Sequence, residues 1–194
     1  PASLITIVAA ASSTSCQPGP GSNCPGINLD GVVLEGRDLS DSVFTDGRFF
    51  LTDFWEANLD RVDFSGGILQ EADLRRASAR SADFTGASLY GANLGRTDLT
   101  GAVLVDANLG FADLYRSDFD LADLSGASLD HASGRWASFL AANLSGASLS
   151  PVDLSWANLN QADMTNANLA GANLKRANLS GADLTGANLM GADL

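Results

Sequence analysis

The chain has 194 residues and a formal net charge of −12, with 45% hydrophobic but only 7% aromatic residues. The excess of acidic groups disfavours binding to nucleic-acid phosphates, and the shortage of large apolar side chains is unlike the core of an ordinary mixed domain. No run reaches the roughly 18 apolar residues that a membrane-spanning helix needs. We therefore expect a protein with no nucleic-acid ligand and no membrane span.

Residues 1–26 form a predicted N-terminal region that lacks the regular pattern of the rest. The apolar stretch SLITIVAAA, residues 3–11, is either a capping segment or the remnant of an export signal, because it is too short to span a membrane and no basic stretch precedes it. Cys16 and Cys24 flank a loop rich in Pro and Gly. Either a local disulfide closes this loop, which would indicate an oxidising compartment, or both residues are free thiols.

From residue 27 onward the sequence repeats every five residues. Leu, Phe or Met occupies every fifth position from Leu29 to Leu194, except at Ala79 and Gly134. Ala usually stands two residues earlier, with Asp, Asn or Ser between, so the unit is A-(D/N)-L-x-x. We number its positions 1 to 5, with Ala at position 1 and Leu or Phe at position 3. A period of five fits neither the 3.6 of an α-helix nor the 2 of a simple strand.

This repeat resembles the pentapeptide-repeat family, and the resemblance covers residues 27–194, the second predicted region of the chain. It implies an all-β fold, a right-handed quadrilateral β-helix (β-solenoid) of about eight coils with four pentapeptides in each coil. We expect positions 1 and 3 to point inward and the other three to face water, with coils about 4.8 Å apart. The first coils depart from the pattern, because the inward positions that usually hold Ala are occupied by Arg37, Ser42, Gly47 and Thr52.

A coil of twenty residues places residues twenty apart above one another. One column of position 3 reads Phe44, Phe64 and Phe84, which predicts an aromatic stack inside the rod. The corner that follows this column carries mostly Gly, Asn or Asp at position 5, as expected for a turn with positive φ.

A second corner, which we call the basic edge, carries seven of the eleven basic residues and all three tryptophans. The candidate binding residues at its positions 4 and 5 are Trp55, Arg75, Arg76, Arg96, Tyr115, Arg116, Arg135, Trp136, Trp156, Lys175 and Arg176. We expect Trp136 and Trp156 to stack on the outside of the rod, with Arg116 and Arg176 at cation–π distance. Gly134, inside the same corner, is expected to give the backbone room beside Trp136.

Two interpretations of the basic edge remain open. Its side chains either stabilise neighbouring coils and pair with outward carboxylates, or they bind a protein partner, since Trp, Tyr and Arg are enriched at binding hot spots. The carboxylates available for pairing are Asp53, Asp73, Asp113 and Asp153 on the flanking column, with Asp98 and Asp118 on the next face.

The C-terminal coil ends in full repeat register. Its last position 3 residues are Leu179, Leu184, Leu189 and Leu194. An uncovered apolar layer at this end predicts either end-to-end self-association or a truncated chain.

No residue pattern indicates catalysis or a metal site. The single histidine, His131, stands beside Asp130 at an outward position, without the residues of a Ser-His-Asp relay or a histidine metal centre. The many Asp residues belong to one register of the repeat and are expected to point into water. We predict no enzymatic activity, no cofactor and no metal.

The resemblance favours a non-catalytic scaffold or protein-interaction module with an unidentified protein partner. The composition is similar to that of family members from cyanobacteria and chloroplasts, some of which are exported to the periplasm or thylakoid lumen. A disulfide between Cys16 and Cys24 would favour those compartments, and free thiols would favour the cytoplasm.

The alternative function is DNA mimicry. Quinolone-resistance members of the family bind type II topoisomerases such as gyrase, and the acidity of this chain fits that role. The basic edge and the absence of interrupting loops from the repeat argue against it.

Overall fold

A computed structural model describes residues 16–194 of the chain. Within that range it contains no helix, and its strands are reduced to single paired residues at position 2 of each unit. These residues pair in parallel with the residue twenty positions further along, from Asn23 with Val43 to Asn173 with Asp193. Four pentapeptides therefore make one coil, and the predicted right-handed quadrilateral β-helix is confirmed. The paired ladder begins at Asn23, four residues before the repeat was expected to start.

Each corner is a turn that the chain closes in the same way. The position 3 carbonyl accepts a hydrogen bond from the N–H three residues later, as in Val32 N to Leu29 O at 3.0 Å. Position 5 has a positive φ at every corner from Gly31 to Gly191 except the one closed by the cis Ser150–Pro151 bond. This combination defines a type II turn. The sequence predicted positive φ from the glycine-rich corner, whereas the structure shows it at all four.

The side chain at position 2 also forms a hydrogen bond within the turn, which the sequence analysis missed. Its side-chain oxygen turns back and accepts the N–H of position 4, as in Asp53 Oδ1 to Trp55 N at 2.9 Å and Asn93 Oδ1 to Gly95 N at 3.1 Å. The expectation that these Asp residues simply point into water was wrong. Asp and Asn recur at position 2 because their short side chains satisfy a turn donor that the ladder leaves unpaired.

The core consists of positions 1 and 3, and both are buried through most of the rod. The predicted aromatic column is present, with Phe64 and Phe84 stacked at 5.3 Å and Phe44 tilted by 39° against Phe64. Phe49 from the neighbouring face and Phe54 from the opposite face pack against the same column. The N-terminal half therefore has an aromatic centre that replaces part of the leucine ladder.

The unusual inward residues of the first coils differ in how they are accommodated. Arg37 is exposed, contrary to its expected inward position, whereas Ser42 and Thr52 are buried. Thr52 Oγ1 donates to Leu29 O at 2.7 Å and Ser42 Oγ donates to Gly19 O at 2.7 Å, so neither hydroxyl lacks a partner. A buried hydroxyl with a hydrogen bond is tolerated in a core, and here each bond links neighbouring coils.

At the N-terminal end Cys16 and Cys24 lie within disulfide-bonding distance, with their Cα atoms 5.8 Å apart. Cys24 also occupies position 3 of the first unit, where it is 3% exposed. The predicted capping or export segment at residues 3–11 lies outside the described residues. At the other end Leu179, Leu184 and Leu189 are half-buried, while Leu194 is 71% exposed.

Gly47 provides a test of how tightly the aromatic centre is packed. A Cβ atom there would lie 2.6 Å from the Phe49 ring and 2.8 Å from the carbonyl oxygen of Phe44. We predict that Gly47→Ala lowers the free energy of unfolding by about 1–3 kcal/mol, because the ring has no free space into which to move. Chemical denaturation measures the loss, and Phe49→Leu in the same chain should recover part of it. Equal losses in the two backgrounds would contradict this packing.

Candidate partner-binding edge

The basic edge exists as a continuous column because coil stacking brings positions 4 and 5 of every fourth unit together. Its aromatic and cationic side chains lie outside the rod, and Trp136 is 42% and Tyr115 37% exposed. The turns beneath them are fixed by position 2 side chains, as where Asp113 Oδ1 accepts the Tyr115 N–H at 2.9 Å. The edge is therefore a row of outward side chains on a regular, hydrogen-bonded backbone.

Stacked tryptophans form the C-terminal part of the edge. The rings of Trp136 and Trp156 lie 4.5 Å apart with an interplanar angle of 17°. The Arg176 guanidinium lies 4.4 Å from the centroid of the Trp156 ring. Arg116 does not bracket the stack as expected, because it lies over its neighbour Tyr115 at 5.2 Å.

The N-terminal part of the edge is built on Trp55. The guanidinium carbons of Arg75 and Arg76 lie 5.0 and 5.9 Å from the centroid of this ring. Arg75 also donates to Asp73, with Nε and Oδ1 2.8 Å apart, and Arg76 donates to Glu56 at 3.2 Å. Both guanidinium groups therefore lie against the Trp55 ring, and each is paired with a carboxylate.

Asp73 shows how these contacts act on a carboxyl group. Burial raises the pKa of Asp73, but hydrogen bonds from the side chain and backbone of Arg75 outweigh that effect and leave the pKa below its ordinary value. Since the folded pKa is the lower one, this pairing stabilises the fold above the unfolded pKa and is lost as the pH falls through the folded value.

The other arginines of the edge are not paired in this way. Within residues 16–194 no carboxylate lies within 4 Å of the guanidinium groups of Arg96, Arg116, Arg135 and Arg176. The outward Asp column therefore pairs with the basic edge at Asp73, through Arg75, and at Asp193, through Lys175, whereas Asp98 pairs with Arg80 on the next corner. Carboxylates such as Asp113 and Asp153 are engaged by the turns.

Gly134 has a different role from the one expected. A Cβ atom on Gly134 would lie 2.7 Å from Cδ2 of Leu154, the position 3 residue of the next coil. The space that glycine leaves is thus inside the core and is filled by Leu154. It provides no room beside Trp136.

Gly95 leaves a hollow of about 300 Å³ on the outside of the edge. Besides Gly95 itself, the residues that line it are Trp55, Arg75, Arg76, Asn93, Arg96, Asp113 and Tyr115. Sequence analysis named the charged and aromatic residues but missed this hollow, although the glycine interrupting the position 4 column was a visible signal.

A second aromatic column borders the same face of the rod and was also missed. Phe111 stacks on His131 with centroids 4.6 Å apart, and Tyr90 lies 5.3 Å from Phe111. Phe111 and His131 are twenty residues apart, so the column rule that located Trp136 and Trp156 would have found this pair too. The lone histidine is thus part of an aromatic surface stack.

Among residues 16–194 the structure contains no group of three or more His, Cys, Asp or Glu side chains arranged to hold a metal ion. The same range has no helix of the length and apolarity needed to cross a membrane.

The family model described as pentapeptide repeats matches the chain in five overlapping or adjacent stretches: 27–66, 57–96, 82–120, 117–155 and 157–194. Among solved structures, HetL, a pentapeptide repeat protein involved in heterocyst differentiation regulation from the cyanobacterium Nostoc sp. strain PCC 7120, is 36% identical with a TM-score of 0.65. That match covers 89% of this chain and 86% of HetL.

QnrB1, a plasmid-mediated fluoroquinolone resistance protein, matches at 22% identity and a TM-score of 0.56 in one trypsin-treated form. This match covers 88% of the chain and 84% of QnrB1, and at that identity it reflects the fold alone. No curated protein matched the sequence.

Position 5 of the basic edge has a positive φ, which strains the backbone of any residue that has a Cβ atom. Arg96 has a φ of 63°, a region that glycine occupies without a Cβ clash. We predict that Arg96→Gly raises the free energy of unfolding by about 0.5–1 kcal/mol, since Arg96 makes no ion pair within residues 16–194.

Chemical denaturation of the native protein and the Arg96→Gly variant measures this difference. Gly101→Ala, at a φ of 65° on the next corner, is the reverse control and should lower stability. A clear loss of stability in Arg96→Gly would show that this side chain is part of the scaffold.

Proposed function

Because the chain belongs to the pentapeptide repeat family, we propose that it is a non-catalytic protein-interaction module whose partner docks along the basic edge. The observation that carries this proposal is an exposed row of stacked aromatic and cationic side chains in which four arginines lack a carboxylate partner within residues 16–194.

Charge supports an acidic partner surface. Seven of the eleven basic residues lie on this one corner of a chain whose net charge is −12. The basic edge and the face before it combine these seven basic residues with five Asp and two Glu, whereas the diagonally opposite corner and the face before it carry no basic residue and seven Asp: Asp46, Asp63, Asp83, Asp106, Asp123, Asp163 and Asp183. An acidic protein would be attracted to the basic edge and repelled by the other side, which fixes its orientation on the rod.

The identity of the edge residues also supports binding. A purely structural corner needs only residues that tolerate positive φ, and the diagonally opposite corner uses Gly, Asp and Asn throughout. The basic edge instead holds Arg76, Arg96, Arg116, Trp136 and Trp156 in the same strained conformation. Non-glycine residues with positive φ also occupy the other two corners, as at Leu121, so what distinguishes the basic edge is that Arg and Trp fill these positions.

The related HetL is involved in heterocyst differentiation regulation. A regulatory role that operates through binding is one that a rigid rod with a docking edge supports.

The proposal is tested by quantitative capture of proteins from source-cell extract. In the edge variant, Arg96, Arg116, Trp136 and Trp156 are all replaced by glycine, which each of these turns accommodates because φ is positive. We expect the native rod to retain a partner that the edge variant loses by about tenfold or more, because Trp and Arg carry much of the energy of such interfaces.

The matched control replaces four position 5 residues of the next corner by glycine. These are Ser81, Leu121, Ala141 and Gln161, which have the same backbone conformation. Thermal unfolding of both variants verifies that each is folded. Equal capture by the native rod and a folded edge variant would refute docking at the basic edge.

A second candidate function, DNA mimicry, is favoured by the seven-Asp side of the rod. A line of carboxylates along one side imitates a phosphate backbone, although the basic edge spoils the imitation on the opposite side. A supercoiling assay with purified DNA gyrase separates the two candidates. The docking proposal leaves supercoiling unchanged at micromolar protein, and inhibition or protection of gyrase would support mimicry instead.

We further propose an oxidising location, with the periplasm or thylakoid lumen favoured over the cytoplasm. The support is the close approach of Cys16 and Cys24, whose Cα separation of 5.8 Å suits a disulfide. Alkylation of the protein in its cells before any reduction decides the matter, since labelled thiols would place it in a reducing compartment.

A further inference from the structure

One position of the basic edge, Gly95, has no side chain, and we call this gap the vacant rung. The position 4 column of the edge runs Trp55, Arg75, Gly95 and Tyr115, and Gly95 is the one residue of the four without a side chain. We infer that the hollow at Gly95 takes up a single aromatic side chain from an acidic segment of the partner. This inference rests on the proposed function and names the chemistry of the segment that docks.

Stacking at intervals of one coil defines the size of the vacancy. Trp136 stacks on Trp156 at 4.5 Å, and Arg75 lies 5.0 Å from the ring of Trp55. The coils on either side of Gly95 are separated by two ladder spacings, roughly 10 Å. One planar ring inserted above Gly95 would contact both neighbours at the interval that the rest of the edge already uses.

The side chains around the hollow leave the vacancy open from outside. Arg75 bends toward Trp55 and Asp73, away from Gly95, and Arg116 lies over the ring of Tyr115. A Cβ atom on Gly95 would lie 3.2 Å from Asn93 Oδ1, a tight contact, and 3.7 Å from both Arg75 Cγ and Tyr115 O, which are ordinary contacts. The hollow is therefore bounded on two sides by groups that already have partners.

The charges around the hollow favour an aromatic side chain of the partner inside it and acidic side chains outside it. Arg75, Arg76 and Arg96 all line the hollow, and Arg96 has no carboxylate partner within residues 16–194, so a cationic side chain is disfavoured and the electron-rich face of an aromatic ring is attracted. Asp113 also lines the hollow and accepts the Tyr115 N–H, which disfavours a second carboxylate inside it. The acidic groups of the segment then remain outside, where Arg96 is free to form charge-assisted hydrogen bonds.

Fluorescence anisotropy with dye-labelled peptides tests the inference. The first peptide is a short run of Asp and Glu with a central Trp, the second replaces that Trp by Ala, and the third replaces the acids by Lys. We expect the first peptide to bind the native rod at low salt, the second to bind about tenfold or more weakly, and the third not to bind.

Gly95→Tyr fills the hollow without changing the net charge, and its φ lies outside the positive range that disfavours side chains. This substitution should weaken binding of the acidic Trp peptide by about tenfold or more. Ser125→Tyr adds the same side chain at position 4 of the diagonally opposite corner and should leave binding unchanged. If Gly95→Tyr does not fold, Arg96→Gly provides the second variant: it keeps the hollow, removes the lining arginine that has no carboxylate partner within residues 16–194, and should also weaken binding of the acidic Trp peptide.

Failure of this inference is distinguishable from failure of the docking proposal. Equal binding of the Trp and Ala peptides, unchanged binding by folded Gly95→Tyr, or no binding of any peptide overturns the vacant rung. If Gly95→Tyr retains the partner captured from extract but the edge variant loses it, docking along the basic edge is supported and insertion of an aromatic side chain at Gly95 is refuted. If both variants retain the partner, both proposals fall.

Discussion

The structure depends on the backbone hydrogen bonds between one coil and the next, which join residues nineteen or twenty-one apart and so pair residues twenty apart in sequence. Each coil donates to and accepts from its neighbour through bonds such as Leu29 N to Arg48 O at 2.8 Å. These bonds are possible because the corners turn the chain in a regular way, with position 5 in the left-handed region at every corner from Gly31 to Gly191 except the one at Pro151. Leu and Phe inside and Asp or Asn at position 2 stabilise that turn, but the ladder determines which residues become neighbours.

Because of this constraint, the spacing of residues in the sequence determines which side chains lie together on the surface. Trp136 and Trp156 are twenty residues apart in sequence and 4.5 Å apart in space. The same rule gathers seven basic residues on one corner and seven Asp on the opposite side. A rod with a regular core can therefore present two sides of contrary charge without any change of fold, which is how an interaction module can evolve by substitution of outward positions alone.

The coil length, the inward columns, the aromatic centre and the Trp136–Trp156 stack could be predicted from the sequence because each follows from the period. The partners of individual side chains could not. Arg116 contacts Tyr115 and not the tryptophans, and Gly134 makes room for Leu154 in the core. Long side chains have several neighbours within reach, and which contact wins depends on rotamers and competing hydrogen bonds that no spacing rule contains. Turn N–H groups bind the position 2 carboxylates but do not exclude ion pairs, because Asp73 accepts the Arg75 N–H and also pairs with the Arg75 guanidinium.

Covalent footprinting of the rod with and without its captured partner tests the central claim, docking along the basic edge, most directly. Residues on all four corners are labelled in the free rod, and protection is read residue by residue. Docking along the basic edge should protect Trp55, Tyr115, Trp136 and Trp156 and leave the corner that carries Asp46 and Asp106 labelled as in the free protein. Protection confined to that acidic corner, with the tryptophans still labelled, would contradict it.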